Sequence, residues 1–168
     1  GYTLDDNARA LVAMCRHFEL TGDTAGLPYI KIYFKFIKYC LQPEGHFLNY
    51  VKEERFFFFL NNEVNLADAN GRAIWALGYL LSLEHILPLQ IIEEADAMMS
   101  SAQLNAGAIH STRAMAFVIK GLYYRNKETR REQDIAIIIE LANRLLQMYR
   151  HEKKENWHWY ESYLTYAN

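Results

Sequence analysis

The phrase "DANGRAIWAL" at residues 68 to 77 repeats, in spacing and in kind, "DDNARALVAM" at residues 5 to 14. Setting Asp5 on Asp68 places Asn7 on Asn70, Arg9 on Arg72, Ala10 on Ala73, Leu11 on Ile74 and Ala13 on Ala76. A degenerate third copy survives as Arg113, Ala114 and Met115, which sets Ser111 where Asn7 and Asn70 stand. The equivalent positions 7, 70 and 111 are 63 and then 41 residues apart, the differences of their numbers. A period of this order describes an array of like supersecondary units, each burying its apolar face on its neighbours.

The pattern inside each unit is helical. Apolar residues recur at three and four positions through Leu11, Met14, Cys15 and Phe18, after Thr3 and Asp6, which fit a capping box. "TGD" at 21 to 23 closes this helix, and Pro28 stands in the first turn of a second, "YIKIYFKFIKYCL", which Pro43 and Gly45 stop. The two-beat phrase returns with Asn70 opening "GRAIWALGYLLSLEHI" and Pro88 opening "LQIIEEADAMMSSAQ", then with "HSTRAMAFVIKGLYY" and "EQDIAIIIELANRLLQMYR" to about Arg150. The small residues Ala10, Ala13, Ala73, Ala76 and Ala114 are expected on a crowded inner row where helices approach closely. "GHFLNYV" at 45 to 51 is expected as a loop or a short extended piece. Residues 42 to 67, carrying "FFFF" at 56 to 59, either line a site or plug the end of the core. The expectation is an all-α single domain over residues 1–168, an array of about three antiparallel helical hairpins.

With 168 residues, 51% of them hydrophobic, the chain can bury a real core. A net charge of −2 gives no general electrostatic reason to bind nucleic acid or a membrane surface. No apolar run approaches the roughly 20 residues that cross a bilayer, and no basic-then-apolar leader opens the chain, so a cytoplasmic protein is expected. Cys15 and Cys40 each fall in an apolar helical pattern, as buried free thiols or, less simply, as a disulfide. His151 opens "HEKKE", which lacks the second histidine of H-E-x-x-H, and the other histidines lack metal-ligand spacing. There is no G-x-S-x-G, no G-x-x-x-x-G-K-[ST] and no G-x-G-x-x-G, so neither a metal nor any other cofactor is implied.

Together, "TLDDNARALVA", "DANGRAIWALG" and "WHWYESYLTYAN" resemble the helical module attached to many bacterial group-1-type glycosyltransferases, which belongs by its pattern to the six-hairpin (α/α) toroids. The resemblance covers nearly the whole chain. It implies part of an (α/α)6, six-hairpin glycosidase-like toroid, a sugar or glycan ligand, and a funnel onto which the starts of the inner helices converge. Ala167 stands where that family commonly has Asp, and the sequence stops at Asn168 where a further hairpin is expected. A fragment of a longer polypeptide is therefore expected, self-associating or docking through the open side of the toroid. No α/β pattern for a nucleotide-sugar-binding core is present, so any transferase activity lies outside these residues.

Within such a funnel Asp5, Asp6, Asp68 and Asn70 are expected at one mouth, with the caps of helix starts as the plainer explanation. Arg72, like Arg9, either ties one hairpin to the next or recognises an anionic sugar or phosphate. In "ENWHWYESY", Trp157, Trp159 and Tyr160 offer flat faces for sugar rings, and His158 and Glu161 supply hydrogen bonds or acid–base chemistry. Glycoside hydrolysis uses two carboxyl groups roughly 5 to 10 Å apart, a pair that Glu161 could make with Asp5, Asp6 or Asp68. The other expectation is a non-catalytic helical scaffold in which the same aromatic residues are core.

Overall fold

A computed structural model describes residues 1–153 of the chain. Their apolar periodicity becomes six α-helices: α1 (Leu4–Thr21), α2 (Leu27–Cys40), α3 (Ala67–Leu81), α4 (Leu89–Ala106), α5 (Thr112–Arg125) and α6 (Glu132–Glu152). Two residue pairs, β1 (Tyr2–Thr3) and β2 (Tyr50–Val51), add a short antiparallel ribbon with Tyr2 opposite Val51. The all-helical expectation holds at this level, and "GHFLNYV" supplies the one extended piece anticipated outside the helices.

Helix α1 begins as its sequence dictates. The Thr3 hydroxyl accepts from the Asp6 backbone N–H and donates to the Asp6 carboxylate at 2.6 Å, satisfying an orphan donor of the first turn. The helix ends at Gly22, whose φ of 65° is the left-handed conformation of a C-cap, with its N–H on the Phe18 carbonyl at 2.8 Å. Leu4, Ala8, Leu11, Cys15 and Phe18 form its buried stripe. Cys15 and Cys40 are buried free thiols, and burial pushes each up to about 12.

The helices pack in two rows. Each hairpin pairs α1 with α2, α3 with α4 and α5 with α6, while α3 also packs against both α1 and α5. Asp5 near the start of α1 meets Arg72 near the start of α3, and Glu19 near the end of α1 meets Tyr79 near the end of α3, so these two helices run parallel. The inner row is thus α1–α3–α5, with α2, α4 and α6 behind it. Helix α3, walled on three sides, is buried almost continuously from Ala69 to Leu81, which is why its sequence is apolar all round.

The closest seam lies between α3 and α5. A methyl group on Gly78 would stand 2.0 Å from the Gly121 carbonyl oxygen, and one on Gly71 would stand 2.8 Å from the Ala114 carbonyl oxygen. The expectation for the small residues is corrected here. Ala73, Ala76 and Ala114 are buried, but Ala10 is half-buried and Ala13 is exposed. Glycine makes the backbone contact that alanine was expected to make.

Behind the inner row, buried Arg125 ends α5 and fastens α4 and α6 to it. Its guanidinium donates to Asp96 at 2.8 and 3.0 Å, to Ser100 at 2.6 Å and to Asp134 at 3.4 Å. Burial pushes the Asp134 carboxyl up, against the opposing pull of Arg125 and Asn126. Among the described residues no helix is long and apolar enough to cross a membrane.

Candidate functional site

The repeated aspartates sit at the second position of α1 and of α3, where unpaired helix N–H groups favour a carboxylate. Each also reaches the arginine of the following repeat. Asp5 is paired with Arg72, and Asp68 accepts from Arg113 at 3.2 Å and from the Ser111 hydroxyl at 2.6 Å. Arg9 pairs instead within its own helix, with Asp5 at 3.3 Å and with Asp6. Among the two readings for Arg72, the tie between hairpins is the one its geometry displays.

Asp6 is exposed, and its hydrogen bonds from Thr3 and Arg9 hold its carboxyl below the ordinary value of 3.8. A proton is therefore shed more easily there than from a free aspartate, which suits a base or an ion-pair partner and not a general acid.

Asn70 is placed differently from the sequence expectation. The helix starts one turn earlier, at Ala67, so Asn70 does not open α3. Its amide Nδ2 donates to the Leu66 and Phe47 carbonyls at 3.0 and 2.9 Å, and its Oδ1 accepts from the Phe47 N–H at 2.8 Å. Asn7 makes the equivalent backward bond to Thr3 at 2.7 Å. The third copy is degenerate because α5 lacks this first turn, leaving Ser111 as its N-cap with Oγ accepting from Ala114 N–H.

The clamp on Phe47 answers most of the question about residues 42 to 67. Phe47 is fully buried, Asn49 accepts from the Asp5 N–H at 3.0 Å, and Asn61 bonds Asn49, Tyr50 and Phe58. The first part of the loop is a plug. Phe56 and Phe59 remain half or more exposed, and Lys52 lies 5.1 Å from the Phe56 ring. A cleft of about 260 Å³ between this loop, α3 and α4 is lined mostly by apolar groups, with His46 and with Asn70 and Asn105, whose amides are already engaged.

Further along the inner row is a surface that the sequence analysis did not single out. Trp75 stacks on Phe117 across the α3–α5 seam, 5.4 Å between centroids and 20° between planes. The Lys120 ammonium lies 4.0 Å from the Trp75 centroid and 6.0 Å from that of Phe117, so one cation spans both rings. Arg72 flanks Phe117 at 5.0 Å, and one turn on Arg16 stands over Tyr79 at 5.3 Å. Tyr79 donates its hydroxyl to Glu19, and burial and that carboxylate raise its pKa to about 12. The Trp75 indole N–H is buried without an acceptor among the described residues.

These positions follow a helical spacing: Arg72, Trp75 and Tyr79 on α3, Phe117, Lys120 and Tyr124 on α5, and Arg9, Ala13 and Arg16 on α1. The arithmetic was available from the sequence. Its concealment came from α3, where apolar residues on every side leave no polar face to mark which way Trp75 looks.

Glu161, Trp157, His158, Trp159 and Tyr160 lie outside the described residues. Among the described residues no group of three or more His, Cys, Asp or Glu side chains is placed to hold a metal ion. No family model matches the chain, and no curated protein matches it significantly.

Proposed function

We propose that the chain is a carbohydrate-directed helical module of a glycosyltransferase-type protein, a stretch of an (α/α) toroid whose inner helices present a glycan-facing surface. The observation that carries this reading is the row of Trp75, Phe117 and Tyr79 on the inner helices, each ring edged by a lysine or arginine. Aromatic faces stack on the C–H faces of sugar rings, and flanking cations and carboxylates hold their hydroxyl groups. The resemblance of the three sequence phrases to glycosyltransferase-associated toroids supports the same reading and adds the aromatic stretch from Trp157 to Tyr160 as a further wall. Arg9 occupies on α1 the place that Arg72 occupies on α3, which is where a neighbouring hairpin's aspartate would meet it in a closed ring.

Glu161 with Asp68 or Asp6 remains the proposed carboxylate pair if a glycosidic bond is broken. The alternative, a non-catalytic scaffold, is favoured by one observation: Asp5 and Asp68 are both held in pairs between helices. Titration of a panel of mono- and oligosaccharides, followed by tryptophan fluorescence and by calorimetry, separates the readings. Saturable binding weakened by Asp68→Asn and Glu161→Gln, with folding retained, supports the glycan site. Loss of several degrees in Tm from Asp68→Asn with no sugar bound by the parent chain moves the assignment to the scaffold.

A further inference from the structure

We propose that the inner row carries a binding site for an anionic sugar substituent, a phosphate or a carboxylate, with Lys120 and Arg16 as its cations and Trp75 and Phe117 as its ring platform. This rests on the glycan reading and names the chemical class of the ligand.

The geometry distinguishes these two cations from their neighbours. Arg9, Arg72 and Arg113 each have a carboxylate within 3.3 Å, so their charge is already answered. Among the described residues Lys120 and Arg16 have no carboxylate within 4.0 Å, and both rest against aromatic rings. They come from α5 and α1, on either side of α3, and stand over the rings of Trp75 and Tyr79, one helical turn apart on α3. Partial desolvation of the ammonium against the rings, and then the positive charge of Arg16, hold Lys120 below its ordinary value although the residue reaches solvent. Two like charges kept together on apolar ring faces repel one another, and an oxyanion between them relieves that repulsion while accepting hydrogen bonds from both.

The platform explains why the anion would arrive on a sugar. An isolated phosphate needs only the cations, whereas Trp75 and Phe117 add stacked apolar area directly beneath Lys120. The buried Trp75 N–H, unpartnered among the described residues, is a donor without an acceptor, an arrangement that costs stability unless something else uses it. Glu19 accepts the Tyr79 hydroxyl.

The experiment is calorimetric titration of the full chain with glucose, glucose 1-phosphate, glucuronic acid and inorganic phosphate, repeated on Lys120→Gln and Lys120→Arg. Lys120 is exposed, so these variants are expected to fold, which circular dichroism checks. The expected result is binding of the phosphorylated or carboxylated sugar at least about tenfold tighter than glucose, lost in Lys120→Gln and largely kept in Lys120→Arg. Preference for one of the two charged sugars identifies the substituent. Glucose binding as tightly as either charged sugar, unchanged in Lys120→Gln, overturns this inference and leaves the glycan reading standing. Phosphate binding that depends on Lys120, with no sugar bound, overturns the inference that the anion arrives on a sugar, and the glycan reading with it. Silence toward all four ligands overturns both.

Discussion

At the scale of single residues, polar side chains at helix starts divide the labour of holding the mouth together. Asn70 is the one whose removal should be felt furthest, because its amide fixes both backbone groups of Phe47, a core residue borne on a loop. Asn70→Ala leaves those groups without partners beside an apolar cleft and should lower stability by about 2 kcal/mol. Urea unfolding measures this, and a loss below about 0.5 kcal/mol, the size of a surface change, would show that water replaces the clamp. Asp6 offers a test by titration. Its folded pKa is depressed, so its contribution to stability is present above the ordinary value of 3.8 and is lost as pH falls through the lower folded value. In Thr3→Ala the carboxyl resonance should titrate nearer 3.8, because the first-named cause of the depression is the Thr3 hydroxyl. An unchanged midpoint would assign the depression to Arg9.

Between elements, the inner row is joined by two different devices. Ion pairs between successive repeats fix the ends, and backbone contact through Gly71, Gly78 and Gly121 fixes the middle. Helices can approach this closely only where no Cβ intervenes. Gly78→Ala puts a methyl group into the Gly121 carbonyl, with rigid backbone on both sides, and should cost about 3 kcal/mol. Gly107→Ala is the control. There a methyl group meets only the Glu140 carboxylate oxygens at 3.8 and 3.9 Å in ordinary helical backbone, so stability should hold or rise by about 0.5 kcal/mol. Equal effects in thermal unfolding would mean that α3 and α5 do not touch as described.

For the molecule as a whole, the array offers apolar groups at its flanks. Ile32 and Tyr29 on α2 and Ile139 and Leu146 on α6 are each more than half exposed. The open-sided toroid reading has copies of this chain associate through such surfaces, and sedimentation at tens of micromolar, roughly the range where apolar patches pair, should show dimers or larger species. A single monomeric boundary over that range would count against it.

Much of this architecture was legible in the chain. The D-x-N-x-R-A phrase announced like units, and its spacing put Asp5 and Asp68, and Arg9 and Arg72, at corresponding places, because a helix repeats its faces by residue number. Helix starts and stops followed from Thr3, Gly22 and Pro28, whose effects are local. The capping role expected of Asn70 was not met, because α3 starts one turn earlier, where the Asn65 side chain accepts from the Ala67 N–H and Asn70 itself bonds back to Leu66. The ledge of Trp75, Phe117 and Lys120 was hidden for a related reason: a helix apolar on every side carries no record of which neighbour covers each face. Sequence by itself determined the helices, their pairing into repeats and the residues available at each register. Tertiary structure alone decided which aspartate meets which arginine and that glycine makes the closest seam. It also decided that Arg16 and Lys120, 104 positions apart by their numbers, both stand over rings of α3, since distance across helices is set by packing and not by the chain.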